Sequence, residues 1–243
     1  MSLNVKTLMV DFLTNEVAKG KVEVYNEFSL QHELGIYLRD QLKNNPDYKV
    51  QFERNTKYFG FDLKDPEYEE EGKPKHEIDI AIFNADKSEK YAIELKYPRN
   101  GQYPETMYSF CKDIKFMEQC KQNGFDETFC LTLVDVGKGR YKDAEKSGNP
   151  FFSKPLKQNN NYKSYIYEFF RADMFENNPE LEKEFSAKKP IRCDNDEQIK
   201  KPTKSTKTKE EFISFSNNKY LVNWQPCGEF NKYYIIEAKQ PDN

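Results

Sequence analysis

The sequence predicts an α/β fold: a central mixed β-sheet flanked by helices, with extra strands towards the C-terminus. Three observations predict it. Apolar residues recur at three- and four-residue steps over residues 27–42 and 106–123, which is the helical period. Residues 77–83 and 90–97 alternate apolar and polar side chains around a short polar turn, which is the pattern of a hairpin. The segments run helix, strand, two hairpin strands, helix, strand, then more β, and a sheet with helices on its faces accommodates that order.

The first helix rests on Leu30, Leu34, Tyr37, Leu38 and Leu42, with Glu33, Arg39 and Asp40 on other faces; Asn44-Asn45-Pro46 stops it. Residues 48–53 alternate and read as a strand, followed by a polar loop over 62–75. The hairpin strands flank the turn Asn84-Ala85-Asp86-Lys87-Ser88-Glu89, and Pro98 ends the second of them. The second helix carries the stripe Met107, Phe110, Ile114, Met117 and meets Gly124 where a C-terminal cap is expected. A strand follows at 128–134, another at 165–169, and short closing strands at 212–215, 220–224 and 233–238. Residues 176–209 are polar and interrupted by Pro179, Pro190 and Pro202. The expected division is a core over 1–175, then a polar linker and a short β-rich extension over 176–243 packed on that core.

Composition sets limits on function. Charged residues make up 33% and hydrophobic residues only 37%, yet 15% of the 243 residues are aromatic, so sixteen Tyr and nineteen Phe supply core area that the aliphatic residues do not. No apolar run approaches the roughly 18 residues of a membrane span, and residues 1–10 lack the pattern of a signal peptide. The expectation is a cytoplasmic protein with no membrane partner. Cys111, Cys120, Cys130, Cys193 and Cys227 are odd in number and form no CxxC pair, which points away from a zinc site or a disulfide framework. The net charge of −3 does not by itself favour nucleic acid. The charge is uneven, however: residues 62–79 are acidic, while 138–163 and 188–209 are rich in Lys and Arg, and local positive charge is what binds phosphates.

The chemistry centres on the hairpin. Alternation puts Ile78, Ile80 and Ile82 on one face of the first strand and Glu77 and Asp79 on the other; in the second strand Ala92, Glu94 and Lys96 share a face opposite Tyr91, Ile93 and Leu95. With the turn centred between Asp86 and Lys87, Asp79 falls directly opposite Glu94. Side chains so opposed have Cβ atoms roughly 4.5–5.5 Å apart. Two carboxylates that close repel, which favours a cation between them. Lys96 follows on the same face, about 7 Å along the strand.

Ile78-Asp79-Ile80, then Ala92-Ile93-Glu94-Leu95-Lys96 after a hairpin, resembles the core of the PD-(D/E)XK nuclease superfamily, over roughly residues 27–135. The position before Asp79 is Ile78, where the family varies freely. The resemblance implies a restriction-endonuclease-like core of helix, three antiparallel strands, helix and strand. It implies a metal-dependent endonuclease that hydrolyses DNA phosphodiester bonds, in restriction or another defence role. By the same resemblance Asp79 and Glu94 are metal ligands with the Leu95 carbonyl as a third, and Mg²⁺ or Mn²⁺ suits such oxygens. Lys96 orients the attacking water and offsets phosphate charge. A Glu of the first helix joins the metal shell in many members; Glu33 is the candidate here because it lies off the leucine stripe, and Glu27 is the alternative. Nucleases that cut both strands are commonly dimers, so a homodimer is an option although no seam is legible.

An E-x-K triplet alone is weak, and Glu237-Ala238-Lys239 is a second copy without a preceding Asp strand or a following helix. Lesser candidates are Glu77 as an outer ligand, His76, Asp113, Lys115 and Gln119 on the second helix, Arg54 and Lys57 after the first strand, and Trp224 for stacking on bases. An ordinary surface or core role is the competing reading of each. The rival to an enzyme is a non-catalytic module that binds nucleic acid or protein on the same fold. Sequence does not separate DNA from RNA.

Overall fold

The computed structural model describes residues 3–63, 77–98, 103–135, 220 and 225–240, together with strand pairs of two residues at 166–167, 191–192, 199–200 and 212–213. The sequence reading placed no element before residue 27. The structure has helix α1 there, Val5–Phe12, running on into a π-helical turn, Leu13–Val17. Val5, Met9 and Phe12 are buried at helical spacing, so the signal was present. Asn4 caps α1 by accepting from the Thr7 amide at 2.9 Å.

Helix α2, Glu27–Gln41, starts at a capping box in which Ser29 N donates to Asn26 Oδ1 and Asn26 N donates to Ser29 Oγ. Leu30, Leu34 and Leu38 are fully buried, each contributing about 1.5–3 kcal/mol relative to exposure. Strands β1 (Tyr48–Asn55), β2 (Glu77–Asn84) and β3 (Lys90–Lys96) form an antiparallel meander. Helix α3, Tyr103–Gln122, then carries the chain over to β4, Glu127–Asp135, which runs parallel to β3. Gly124, at φ +82°, closes α3: its amide bonds Lys121 O, and Phe125 N bonds Cys120 O.

Short strands β5 (Ile166–Tyr167) and β6 (Ile191–Arg192) pair with each other, as do β7 (Ile199–Lys200) and β8 (Phe212–Ile213). Strands β9 (Gln225–Cys227) and β10 (Asn231–Glu237) join the main sheet, whose order is β1-β2-β3-β4-β10-β9. The chain is thus an α/β protein with a mixed six-stranded sheet flanked by helices. Of the expected closing strand at 220–224, Tyr220 lies outside any strand and 221–224 are outside the described residues.

The sheet separates two apolar layers. On one side α1 and α2 cover Ile80, Ile82, Ile93 and Leu95. On the other α3 packs Phe110, Ile114 and Met117 against Ala81, Phe83 and Ala92. β1 is an outer strand, and Arg39 of α2 donates to its Val50 carbonyl through Nε (3.3 Å) and Nη2 (3.1 Å). The other outer strand, β9, is three residues long and holds Pro226. The N-terminal helix is tied to this end: Cys227 Sγ donates to Leu13 O, and Lys6 pairs with Glu237. Among the described residues no helix is long and apolar enough to cross a membrane.

Candidate active site

The β2–β3 turn sits where the alternation put it. Asp86 accepts from the amide and hydroxyl of Ser88, which hold its carboxyl below the usual range. Lys87 adopts φ +61°. The register is the expected one, from Phe83 facing Lys90 to Ile80 facing Ile93. The next pair in that register is Asp79 and Glu94, and there the ladder stops.

In place of ladder bonds, each carboxylate accepts a main-chain amide of the opposite strand. Asp79 N donates to Glu94 Oε1 at 3.3 Å, and Leu95 N donates to Asp79 Oδ2 at 2.7 Å. Both side chains are buried, Asp79 at 8% exposure and Glu94 at 1%. The β1 side is interrupted as well. The β1–β2 register runs to Phe52–Ile80 and resumes at Arg54–Ile78, passing over Glu53 and Asp79. Glu53 has φ +48°, a region a non-glycine residue seldom enters. Gln31 of α2 donates from Nε2 to Asp79 O at 2.8 Å and to Glu53 Oε1. Past this point the alternation changes. Ile78 packs in the α3 layer while Ile80 and Ile82 pack under α2, which corrects the expectation that the three share a face.

Lys96 lies among oxygens. Its Nζ is 3.1 Å from Asp113 Oδ2 and 3.3 Å from Glu27 Oε1, and it donates to Leu95 O at 3.1 Å. One carboxylate comes from each flanking helix. Glu27 Oε2 also accepts from Tyr97 N. Helix α2 therefore brings Glu27, the alternative, to Lys96. Glu33 contacts His32 Nδ1 at 3.9 Å. It follows Gln31 by two residues, about 200° around the helix, and so faces away from Asp79. Lying off the leucine stripe was too loose a criterion, because a side chain that reaches the site must come from the border of the stripe.

The other candidates are placed as follows. Asp113 is buried and reaches Lys96. Lys115 pairs with Glu118, which also accepts from the Tyr220 hydroxyl; burial pushes that phenol up. Gln119 gives its carbonyl to Asn123 near the end of α3. The Arg54 guanidinium lies 3.5 Å from the centre of the Tyr58 ring, and Lys57 pairs with Asp62. Glu77 is exposed at the start of β2. His76, Trp224 and the side chains of the two basic stretches lie outside the described residues. Sequence reasoning missed Gln31, although a polar residue inside the Leu30–Leu34–Leu38 face was a usable signal.

Asp79, Glu94 and the Leu95 carbonyl make an all-oxygen donor set of the kind hard divalent cations take. The Lys96 ammonium on the Leu95 carbonyl, flanked by two carboxylates, is a positive charge that this neighbourhood already accommodates. Among the described residues no three His, Cys, Asp or Glu side chains are grouped to hold a metal. Mg²⁺ is commonly held by one or two carboxylates, with waters and substrate phosphates completing its shell, so the residues present fit it. A comparison of the chain with protein-family models, with curated proteins and with solved structures finds no match in any of the three.

Proposed function

We propose that this protein is a metal-dependent nuclease that hydrolyses phosphodiester bonds in DNA, with a restriction-endonuclease-like core. The observation that carries the reading is the pairing of Asp79 and Glu94 where β2 and β3 part, with the Lys96 ammonium on the Leu95 carbonyl beside them in sequence. The element order α2-β1-β2-β3-α3-β4, with β4 parallel to β3, supports it further. Asp79, Glu94 and the Leu95 carbonyl would hold Mg²⁺ or Mn²⁺. Bound there, the ion supplies Lewis acidity, polarising a phosphoryl oxygen and lowering the pKa of an attacking water.

The chain's own residues do the rest. The Leu95 and Asp79 amides fix one oxygen of each carboxylate, so both side chains are oriented before any ligand arrives. The Lys96 ammonium offsets charge that builds on the phosphate. Asp113 of α3 and Glu27 of α2 hold that ammonium between them at the end of β3.

One observation favours a second reading, a binding module without catalysis: both carboxylates already serve as acceptors for main-chain amides. The two are separated by incubating plasmid and oligonucleotide DNA and RNA with Mg²⁺ or Mn²⁺, using wild type, Glu94→Gln and Lys96→Ala. The nuclease reading expects wild-type cleavage, reduced at least about 100-fold in each variant. Absence of wild-type cleavage on every substrate, with no Mn²⁺ binding by calorimetry, would leave the binding module.

A further inference from the structure

Asp79 is held in its strand in an unusual way. In a regular antiparallel strand its amide and carbonyl would both enter ladder bonds, and its side chain would stand off the sheet. Here both main-chain groups are bonded by side chains instead, the amide by Glu94 and the carbonyl by Gln31. No residue is inserted to cause this, since β1 and β2 keep one register on either side of the gap. The interruption is a local rotation, and its centre is Glu53, opposite Asp79, at φ +48°.

A glutamate has no intrinsic reason to adopt that conformation, so something must hold it. Gln31 is placed to do so. It is 8% exposed, it comes from the helix that packs on this face, and its one Nε2 group serves both Glu53 Oε1 and Asp79 O. A single amide thus secures the strained residue and compensates the carbonyl that the strain leaves out of the ladder.

We infer that Gln31 and Glu53 are positioning residues that keep the seam between β1, β2 and β3 open at Asp79, and so aim its carboxylate at the place a divalent cation would occupy. The inference deepens the nuclease reading and rests on it only for the catalytic consequence. Glu53 acts through Gln31 as a neutral oxygen acceptor would. Glycine at 53 enters positive φ without strain but offers Gln31 nothing to bond.

The test compares wild type with Gln31→Leu, Glu53→Gly and Glu53→Gln by amide NMR, thermal melting and titration with Mn²⁺ alone. Gln31→Leu and Glu53→Gly should shift the amide resonances of Asp79 and Leu95 while leaving those of Ile82 and Phe83 in place. Both should weaken Mn²⁺ binding about tenfold or more. Glu53→Gly should melt no lower than wild type, which a purely structural role would not allow. Glu53→Gln keeps the acceptor oxygen and should behave as wild type. Unmoved Asp79 and Leu95 amides in Gln31→Leu would overturn the inference, as would Glu53→Gln losing as much as Glu53→Gly. A wild type that neither binds Mn²⁺ nor cuts nucleic acid would sink the nuclease reading, and the amide shifts would still decide the positioning role.

Discussion

Glu94 accepts the Asp79 amide from a site that is 1% exposed, so its removal has two effects that must be kept apart. Glu94→Ala leaves a buried N–H without that acceptor, at a cost of about 1–3 kcal/mol. For a chain of this length that lowers the melting temperature by about 2–4 °C per kcal/mol. Glu94→Gln keeps a carbonyl oxygen at the same reach and should melt close to wild type. If both variants lose metal-dependent cleavage but only the alanine loses stability, the lost activity belongs to the charge. Equal melting losses would show that the amide bond needs the carboxylate itself. The opposition of Asp79 and Glu94 was legible in sequence because strand alternation and a six-residue turn leave few registers. Glu53 was not, because no local pattern announces a non-glycine residue at positive φ. Of the two candidate acids on α2, Glu27 is the one beside Lys96; residue type says nothing about where around a helix a side chain can reach.

At the scale of elements, the placement of α2 depends on Gly35. A Cβ there would stand 2.0 Å from Phe52 Cε1, so the helix can approach β1 only with glycine at that position or with the ring moved. Gly35→Ala should therefore destabilise by about 1–3 kcal/mol through overpacking. In a Phe52→Ala background the ring is gone, and the same substitution should stabilise by roughly 1 kcal/mol, because alanine is the better helix former. A urea-unfolding cycle over the four proteins measures this reversal of sign; a Gly35→Ala cost that persists without the ring would place the constraint elsewhere. The bounds of α2, β2 and β3 were legible to within a residue or two, since each has a strong period and a capping or turn signal at its ends. α1 was overlooked although its period was present, and its π-helical continuation has no counterpart in the 3.6-residue period.

Across the whole molecule, the antiparallel place of β1 was implied by the family resemblance alone, while the β2–β3 hairpin followed from a local signal, its turn chemistry. The pairing of β10 with β4 did not. Residues 136–230 separate them, and nothing in the sequence of either strand names the other. β9 and β10 extend the main sheet beyond β4. The sheet also brings distant thiols into the interior. Cys111, Cys120, Cys130 and Cys227 are all buried, and burial pushes the Cys227 thiol up to about 11.

Arg39 has a consequence for how copies of this protein behave towards one another. An outer strand offers unpaired amides and carbonyls, a template onto which a second chain can add itself. On β9 brevity and Pro226 blunt that tendency. On the longer β1 the Arg39 guanidinium covers the Val50 carbonyl and lies 4.7 Å from the centre of the Phe52 ring, placing a positive charge over the middle of the edge. Arg39→Met should leave the protein folded yet raise its tendency to aggregate, with light scattering growing at concentrations where wild type stays clear. Equal scattering from the two would mean that β1 is shielded without Arg39; the expected difference makes this one side chain a guard against strand-to-strand assembly.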